Sequence, residues 1–180
     1  MAPIENHVPG MISNRGKTLT CFGLDQTNTI DYGFNQQGFR HHMDYDFEPS
    51  VAFFGCSLVF GIGVPYQHIC ANKFADSHNY GLAGAYNDMD VLNILNKFIA
   101  NYPVNIPKVV VWKNFQASIT ATHIKGLPGN NIYHFFCHHP IEAPGCYRMV
   151  KNLDHDVSGT HPGPITHNFF YKTLCPLLNR

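Results

Sequence analysis

The stretch VAFFGCSLVFGIGV, Val51–Val64, decides the fold class of this chain. Its first four residues are apolar on both faces, too few for a helix, and closed by a glycine, so they predict a short buried strand. A strand buried on both faces is typical of a parallel sheet covered by helices. Such sheets bind their ligands at the carboxyl ends of the strands, which is where Ser57 lies. The alternative is that Ser57 only caps the helix that follows.

Strands and helices alternate along the remainder of the chain. Short apolar runs predict strands within 79–88, where a glycine turn follows, and at 108–112 and 131–136. Helices are expected at 64–77, 87–103 and 163–178. The second is the clearest, because its apolar residues form one stripe: Val91, Leu92, Leu95, Phe98 and Ile99. This order predicts an α/β fold, a three-layer α/β/α sandwich with a central, mostly parallel sheet.

Length and composition favour one domain over residues 1–180, with residues 1–50 as an irregular arm or small hairpin packed on it. Charged residues make up 13% of the chain, against about 25% in an average domain. Acidic and basic residues balance at 12 each, so we expect no nucleic-acid or membrane partner. The N-terminus has no secretory signal pattern, and no apolar run could span a bilayer, which predicts a cytoplasmic protein.

Histidine and cysteine are frequent, with 12 and 6 copies, and they raise the question of a metal. The run HFFCHHPIEAPGC brings Cys137, His138, His139 and Cys146 close together in sequence. Their spacing matches no common zinc pattern, and the adjacent histidines would point to opposite faces of a strand. We therefore expect no metal or other cofactor, and a metal-dependent protein stays a weaker alternative.

Four residues suited to acyl transfer stand beside the predicted elements. Ser57, Gly84 and Asn114 follow strands, and His161 precedes the last helix. Ester hydrolysis needs a nucleophile, a base within hydrogen-bond reach, and donors for the oxyanion that develops. A serine, a histidine, a glycine amide and an asparagine side chain supply that set.

The blocks around these residues resemble those of the SGNH (GDSL-like) hydrolase family. GCSLVFGIGV is similar to the family's G-D-S-x-x-x-G-x-G block, NYGLAGAYND to its N-x-G-x-x-G block and GTHPGPITH to its final block. VVVWKNF has an asparagine at the register of G-x-N-D. YGFNQQGFR resembles a Y-x-x-N-x-x-G-[FY]-R segment of a bacterial and phage-associated group. The resemblance covers Tyr32–Leu178.

The resemblance implies a flavodoxin-like fold of the SGNH hydrolase type and a serine esterase. Ser57 would be the nucleophile and His161 the base, with the Ser57 and Gly84 amides and the Asn114 side chain binding the oxyanion. The substrate would be a small or carbohydrate-linked ester, and acyl transfer to another hydroxyl is a variant of the same chemistry. The alternative is a catalytically weak or inactive protein of this fold, a carbohydrate-binding or phage structural component, which would be virion-associated. The oligomeric state is not predicted.

Two departures from the family pattern leave roles open. Cys56 stands where the family has an acidic residue, and a cysteine could itself be the nucleophile, although the register selects Ser57. Trp112 and Phe115 replace the family's Gly and Asp around Asn114, which could then be only a strand-end turn residue.

The third departure concerns the acid that orients the histidine. The family's aspartate lies three residues before it, where this chain has Ser158. We expect Asp156 to replace it through a bulge at Gly159, with Asp154, or no acid at all, as the alternatives. His167 is expected to be a partly buried polar contact of the last helix. Arg40 is a candidate for binding a substrate carboxylate or phosphate, and a surface arginine is the simpler interpretation.

Overall fold

Short strands, several of them apolar, form a parallel sheet. The computed structural model describes residues 4–6, 11, 13–22, 29–83, 88–102, 107–112, 132–136, 146–148, 153–156 and 161–179. Their strands are β1 Thr18–Phe22, β2 Thr29–Gly33, β3 Val51–Gly55, β4 Ser77–Gly81, β5 Lys108–Trp112, β6 Ile132–Phe136 and β7 Cys146–Arg148. Their α-helices are α1 Ser57–Phe60, α2 Asp88–Ala100 and α3 Pro164–Leu178.

The sheet has the order β4-β3-β5-β6-β7, and all its pairings are parallel. The predicted α/β class with a parallel sheet is therefore confirmed. β3 lies between β4 and β5 and is buried along its whole length, as its apolar sequence predicts. Strand β7 was not predicted, because its three residues carry no apolar run.

Alternate residues of β3 face two different apolar clusters. Ala52 and Phe54 pack with Leu95 and Phe98, which lie on the apolar stripe of α2. Val51 and Phe53 belong to a second cluster, whose other members include Trp112 of β5 and Phe170, Leu174 and Leu178 of α3. The two-residue period of a strand thus distributes its side chains between a cluster shared with α2 and one shared with α3.

The expected helix at 64–77 is wrong. The segment forms two short 3₁₀ turns, Tyr66–His68 and Ala71–Lys73, each followed by an extended residue, Ile69 (ψ 129°) or Phe74 (ψ 131°). Three consecutive residues, Ile69, Cys70 and Ala71, are buried, a pattern that no one-sided helix can produce. Tertiary packing has overridden the local preference for a helix.

The N-terminal segment contributes an antiparallel pair, β1 with β2, and apolar anchors to the sheet. Ile4, Met11, Phe34 and Phe39 belong to the same buried cluster as α2. These four residues therefore pack in the cluster that α2 shares with the sheet. Within the described ranges, no helix combines the length and the apolarity that crossing a membrane requires.

Candidate active site

Ser57 lies at the carboxyl edge of the sheet, directly after the interior strand β3. β3 ends at Gly55, and Ser57 is the first residue of the short helix α1. The amides of Val59 and Phe60 donate to the carbonyl of Cys56 at 3.1 and 3.0 Å, which closes the turn. Ser57 is half-buried there. The turn therefore presents the hydroxyl at the edge where parallel sheets bind ligands.

A glycine on the neighbouring strand lets this turn sit close to the sheet. A Cβ on Gly81, the last residue of β4, would lie 2.2 Å from the amide nitrogen of Phe60 and 2.6 Å from its Cα. Any side chain at this position would push α1 away from the sheet, and Ser57 with it. The glycine of the predicted strand-and-turn segment therefore has a packing role beside Ser57.

His161 meets Ser57 although 104 residues separate them in sequence. Its Nε2 lies 3.1 Å from the Ser57 Oγ, and its ring is 26% exposed. With the proton of the ring on Nδ1, Nε2 accepts the hydrogen bond of the serine hydroxyl. This is the arrangement of a general base beside its nucleophile.

Asp156 lies behind the histidine, through an antiparallel pairing of two short chain segments. The amide of Asp156 donates to the carbonyl of His161 at 2.8 Å, and the next pair, His155 with Pro162, forms an isolated antiparallel bridge. Directly opposed residues project their side chains to the same face. The Asp156 Oδ2 is 3.8 Å from His161 Nδ1, and Oδ1 accepts the backbone amide of His161 at 3.1 Å. The expected bulge at Gly159 falls at 157–160, outside the described residues, as does Ser158.

Gly63 provides the space that the Asp156 carboxylate occupies. The Asp156 side chain is 0% exposed. A Cβ on Gly63 would lie 2.1 Å from its Oδ2, and Gly63 has φ +69°, in the left-handed region that favours glycine. This role of Gly63 was not predicted from the sequence. The signal was present in the second glycine of the G-x-G that ends the serine block.

Asp154 caps the last helix. Its Oδ2 accepts the amide of Ile165 at 2.8 Å, and its Oδ1 accepts the amide and the hydroxyl of Thr166, both at 2.7 Å. Burial acts to raise the pKa of Asp154, but these hydrogen bonds outweigh it and leave the pKa below its usual value. The structure thus brings Asp156 to the histidine and leaves Asp154 at the helix terminus.

The expectation that Arg40 binds substrate is corrected by its burial. The residue is 0% exposed and does not lie at a surface open to substrate. Its Nη2 donates to the carbonyl of Val64 at 2.7 Å, and its Nη1 donates to those of Phe60 (3.1 Å) and Gly61. The fork of the guanidinium is engaged with the turn that follows Ser57. Substrate binding by Arg40 is not compatible with this placement.

His167 is a neutral histidine of the core. It is 1% exposed, and its Nδ1 accepts the amide of Cys70 at 3.2 Å. Burial, reinforced by the positive charge of Arg40, lowers its pKa to about 3. It is more deeply buried than the partly buried contact that we expected, and it lies against the Trp112 ring, 5.3 Å between centroids.

Several candidates lie outside the described residues: Gly84, Asn114, Phe115, Cys137, His138 and His139. Both expected oxyanion donors other than the Ser57 amide are among them, and their roles stay predictions. Trp112, two residues before Asn114, pairs with Gly55, so β5 ends at the same edge as Ser57. The described residues contain no cluster of His, Cys, Asp and Glu that could hold a metal.

No family model, curated protein or solved structure matches this chain. The resemblance to SGNH hydrolases therefore rests on the sequence blocks alone.

Proposed function

We propose that this protein is a serine hydrolase of the SGNH type that cleaves small or carbohydrate-linked esters. The observation that carries the proposal is the 3.1 Å contact between Ser57 Oγ and His161 Nε2, with the buried Asp156 carboxylate on the far side of the ring. Nucleophile, base and orienting acid come from three separate segments and converge at one sheet edge. The same constellation recurs on unrelated folds because the chemistry sets the geometry.

In the first half of the reaction, Ser57 Oγ attacks the ester carbonyl while His161 Nε2 accepts its proton. The tetrahedral oxyanion is held by the Ser57 amide, with Gly84 and Asn114 proposed as the other donors. It collapses as His161 returns the proton to the leaving alcohol. The product of this half is an acyl-Ser57 ester.

In the second half, water replaces the alcohol. His161 removes a proton from the water as its oxygen attacks the acyl carbonyl, and then returns that proton to Ser57 Oγ. This releases the carboxylic acid and restores the enzyme. Asp156 stabilises the imidazolium formed in each half. Its Oδ2 lies 3.8 Å from Nδ1, and catalytic hydrogen bonds are often this long without substrate and shorten in the substrate complex.

The finer fold assignment belongs to the same proposal. We infer a three-layer, flavodoxin-like sandwich of the SGNH type. Its support is that α2 and α3 contribute to the two clusters on either side of β3.

A reactive-serine probe tests the proposal directly. A fluorophosphonate should label the native protein, and Ser57→Ala should remove both the labelling and the hydrolysis of short p-nitrophenyl esters. Cys56→Ala is the matched control, because the neighbouring residue changes while the Ser57–His161 pair remains, and it should retain both. Labelling lost only in the cysteine variant would make Cys56 the nucleophile.

A second candidate is an inactive protein of this fold that binds carbohydrate or serves as a phage structural component. The observation that favours it is the 3.8 Å between Asp156 Oδ2 and Nδ1 of the His161 ring, a separation longer than a hydrogen bond. This candidate predicts that the native protein, folded and at high concentration, is not labelled by the probe.

A further inference from the structure

We propose that Arg40 and Tyr32 are positioning residues that hold the Phe60–Val64 turn, and through Gly63 place the Asp156 carboxylate against His161. The catalytic part of this inference rests on the proposed function, whereas the contacts described below are independent of it. It gives Arg40 a role other than the substrate contact expected from the sequence.

Arg40 joins both ends of the turn. Nη1 bonds the carbonyls of Phe60 and Gly61, and Nη2 bonds that of Val64 at 2.7 Å. A rigid planar fork can hold several carbonyls in fixed directions, which the single ammonium group of a lysine cannot reproduce. A fully buried cation also needs such partners, because its desolvation is costly. The contacts of Arg40 therefore constrain the conformation of the turn.

Tyr32 supports the arginine and bonds the middle of the turn. The Arg40 guanidinium carbon lies 3.9 Å from the centroid of the Tyr32 ring, a cation–π contact. The Tyr32 hydroxyl accepts the amide of Gly63 at 2.7 Å. Arg40 thus fixes carbonyls on both sides of Gly63, and Tyr32 fixes the Gly63 peptide itself.

The path from Gly63 to the acid is a direct contact. The Asp156 carboxylate occupies the space where a Gly63 side chain would stand, with Oδ2 2.1 Å from an ideal Cβ. A turn that moved outward would leave this carboxylate free to rotate away from His161, and one that moved inward would displace it. Errors of about 1 Å in such geometry can reduce rates roughly a hundredfold.

The segment that carries the two residues is built to bring them together. Tyr32 and Arg40 are the first and last residues of YGFNQQGFR. Inside it, Asn35 Oδ1 accepts the amide of Phe39 at 2.8 Å, and the Asn35 amide donates to the Phe39 carbonyl at 2.9 Å. These two hydrogen bonds close the loop, so that Tyr32 and Arg40 lie in contact beside the turn that follows Ser57.

The kinetic test uses Tyr32→Phe, which keeps the ring and removes the hydroxyl, and Arg40→Lys, which keeps the charge. We expect kcat for ester hydrolysis to fall about tenfold in each, with KM within about twofold, as for lost transition-state stabilisation. In an Asp156→Asn background the same changes should have little further effect on kcat. Phe98→Leu, in the cluster on the α2 side, is the control for lowered stability and should keep kcat. Full additivity with Asp156→Asn would overturn the proposal.

A second readout needs no activity, so that the failure of the proposed function and the failure of this inference can be told apart. The His161 amide is bonded to Asp156 Oδ1, and its hydrogen exchange reports whether the carboxylate stays in place. We expect Tyr32→Phe and Arg40→Lys to accelerate exchange at Gly63 and His161 and to leave Leu95 of α2 unchanged. Unchanged exchange at His161, or equal acceleration at all three amides, would refute positioning even in an active enzyme. Should Arg40→Lys not fold, Tyr32→Phe alone decides.

Discussion

The turn that carries the proposed nucleophile, residues 55–64, and the segments that carry the proposed acid and base, residues 154–156 with 161–163, are built in different ways. The turn follows from local sequence: a buried strand ends at a glycine, and Ser57 begins the next helix. The acid–base pair is set by antiparallel pairing and by packing of Asp156 on Gly63. Two aspartates two residues apart consequently have different tasks, one beside the histidine and one at a helix terminus. Position relative to partners, and not sequence spacing, assigns their roles.

The largest expected effect comes from removing the charge behind His161. Asp156→Asn should lower kcat for ester hydrolysis by a factor of about a hundred or more, with little change in KM, because the imidazolium loses its charged partner. Asp154→Asn is the matched control, and its kcat should stay close to that of the native protein. Steady-state kinetics of both variants decide the comparison. Equal losses in both variants would mean that the two aspartates are not functionally distinct.

Gly63→Ala should damage the contact between the two regions. The new methyl group would overlap the Asp156 carboxylate, and an alanine at φ +69° costs about 1–2 kcal/mol of stability. We expect kcat to fall at least about tenfold, and the loss should not exceed that of Asp156→Asn if the methyl acts only through the carboxylate. Kinetics combined with urea unfolding measure both effects. A destabilised variant with native kcat would show that Asp156 does not need this glycine.

The sequence predicts the first region better than the second, for a physical reason. The strand, the glycine turn and Ser57 are encoded within ten residues, so local pattern is sufficient for them. The choice of Asp156 over Asp154 depended on the shape of the loop before His161, which local sequence does not determine. The antiparallel pairing and the contact with Gly63 that place Asp156 depend on the tertiary structure. The burial of Arg40 and the 3₁₀ turns at 66–73 could not be predicted either, since both depend on tertiary contacts.

The buried histidine of α3, His167, should make the fold sensitive to acid. The pKa of His167 is lowered to about 3 by burial and then by Arg40, so the unfolded chain binds a proton before the native state does. Stability should therefore fall as the pH drops from about 6.5 to about 3, by up to about 1.4 kcal/mol per pH unit from this group. Urea unfolding at pH 7 and pH 5 measures the slope.

His167→Gln isolates that contribution. The variant should lose stability at pH 7, because it disturbs the core beside Trp112. Its stability should nevertheless depend less on pH than that of the native protein, since one neutral buried imidazole has been removed. His78, whose pKa burial also lowers to about 3, remains in both proteins and keeps some of the slope. An unchanged pH dependence would show that His167 titrates normally.

The smallest expected effect concerns the helix terminus that Asp154 caps. Pro164 has no N–H, and Asp154 accepts the next two amides, those of Ile165 and Thr166, at 2.8 and 2.7 Å. Asp154→Ala should therefore cost about 1 kcal/mol of stability, the usual effect of losing a helix cap. Asp154→Asn should cost less, because its one carbonyl oxygen still accepts from the terminus. Since the native pKa of Asp154 lies below its unfolded value, its contribution is present at neutral pH and is lost as the pH falls through the native pKa. Urea unfolding at pH 7 should thus rank native, Asn and Ala in decreasing stability, with kcat nearly unchanged. An Ala variant as stable as the native protein would mean that the cap contributes nothing to stability. A large loss of kcat would mean that Asp154 has a role in catalysis.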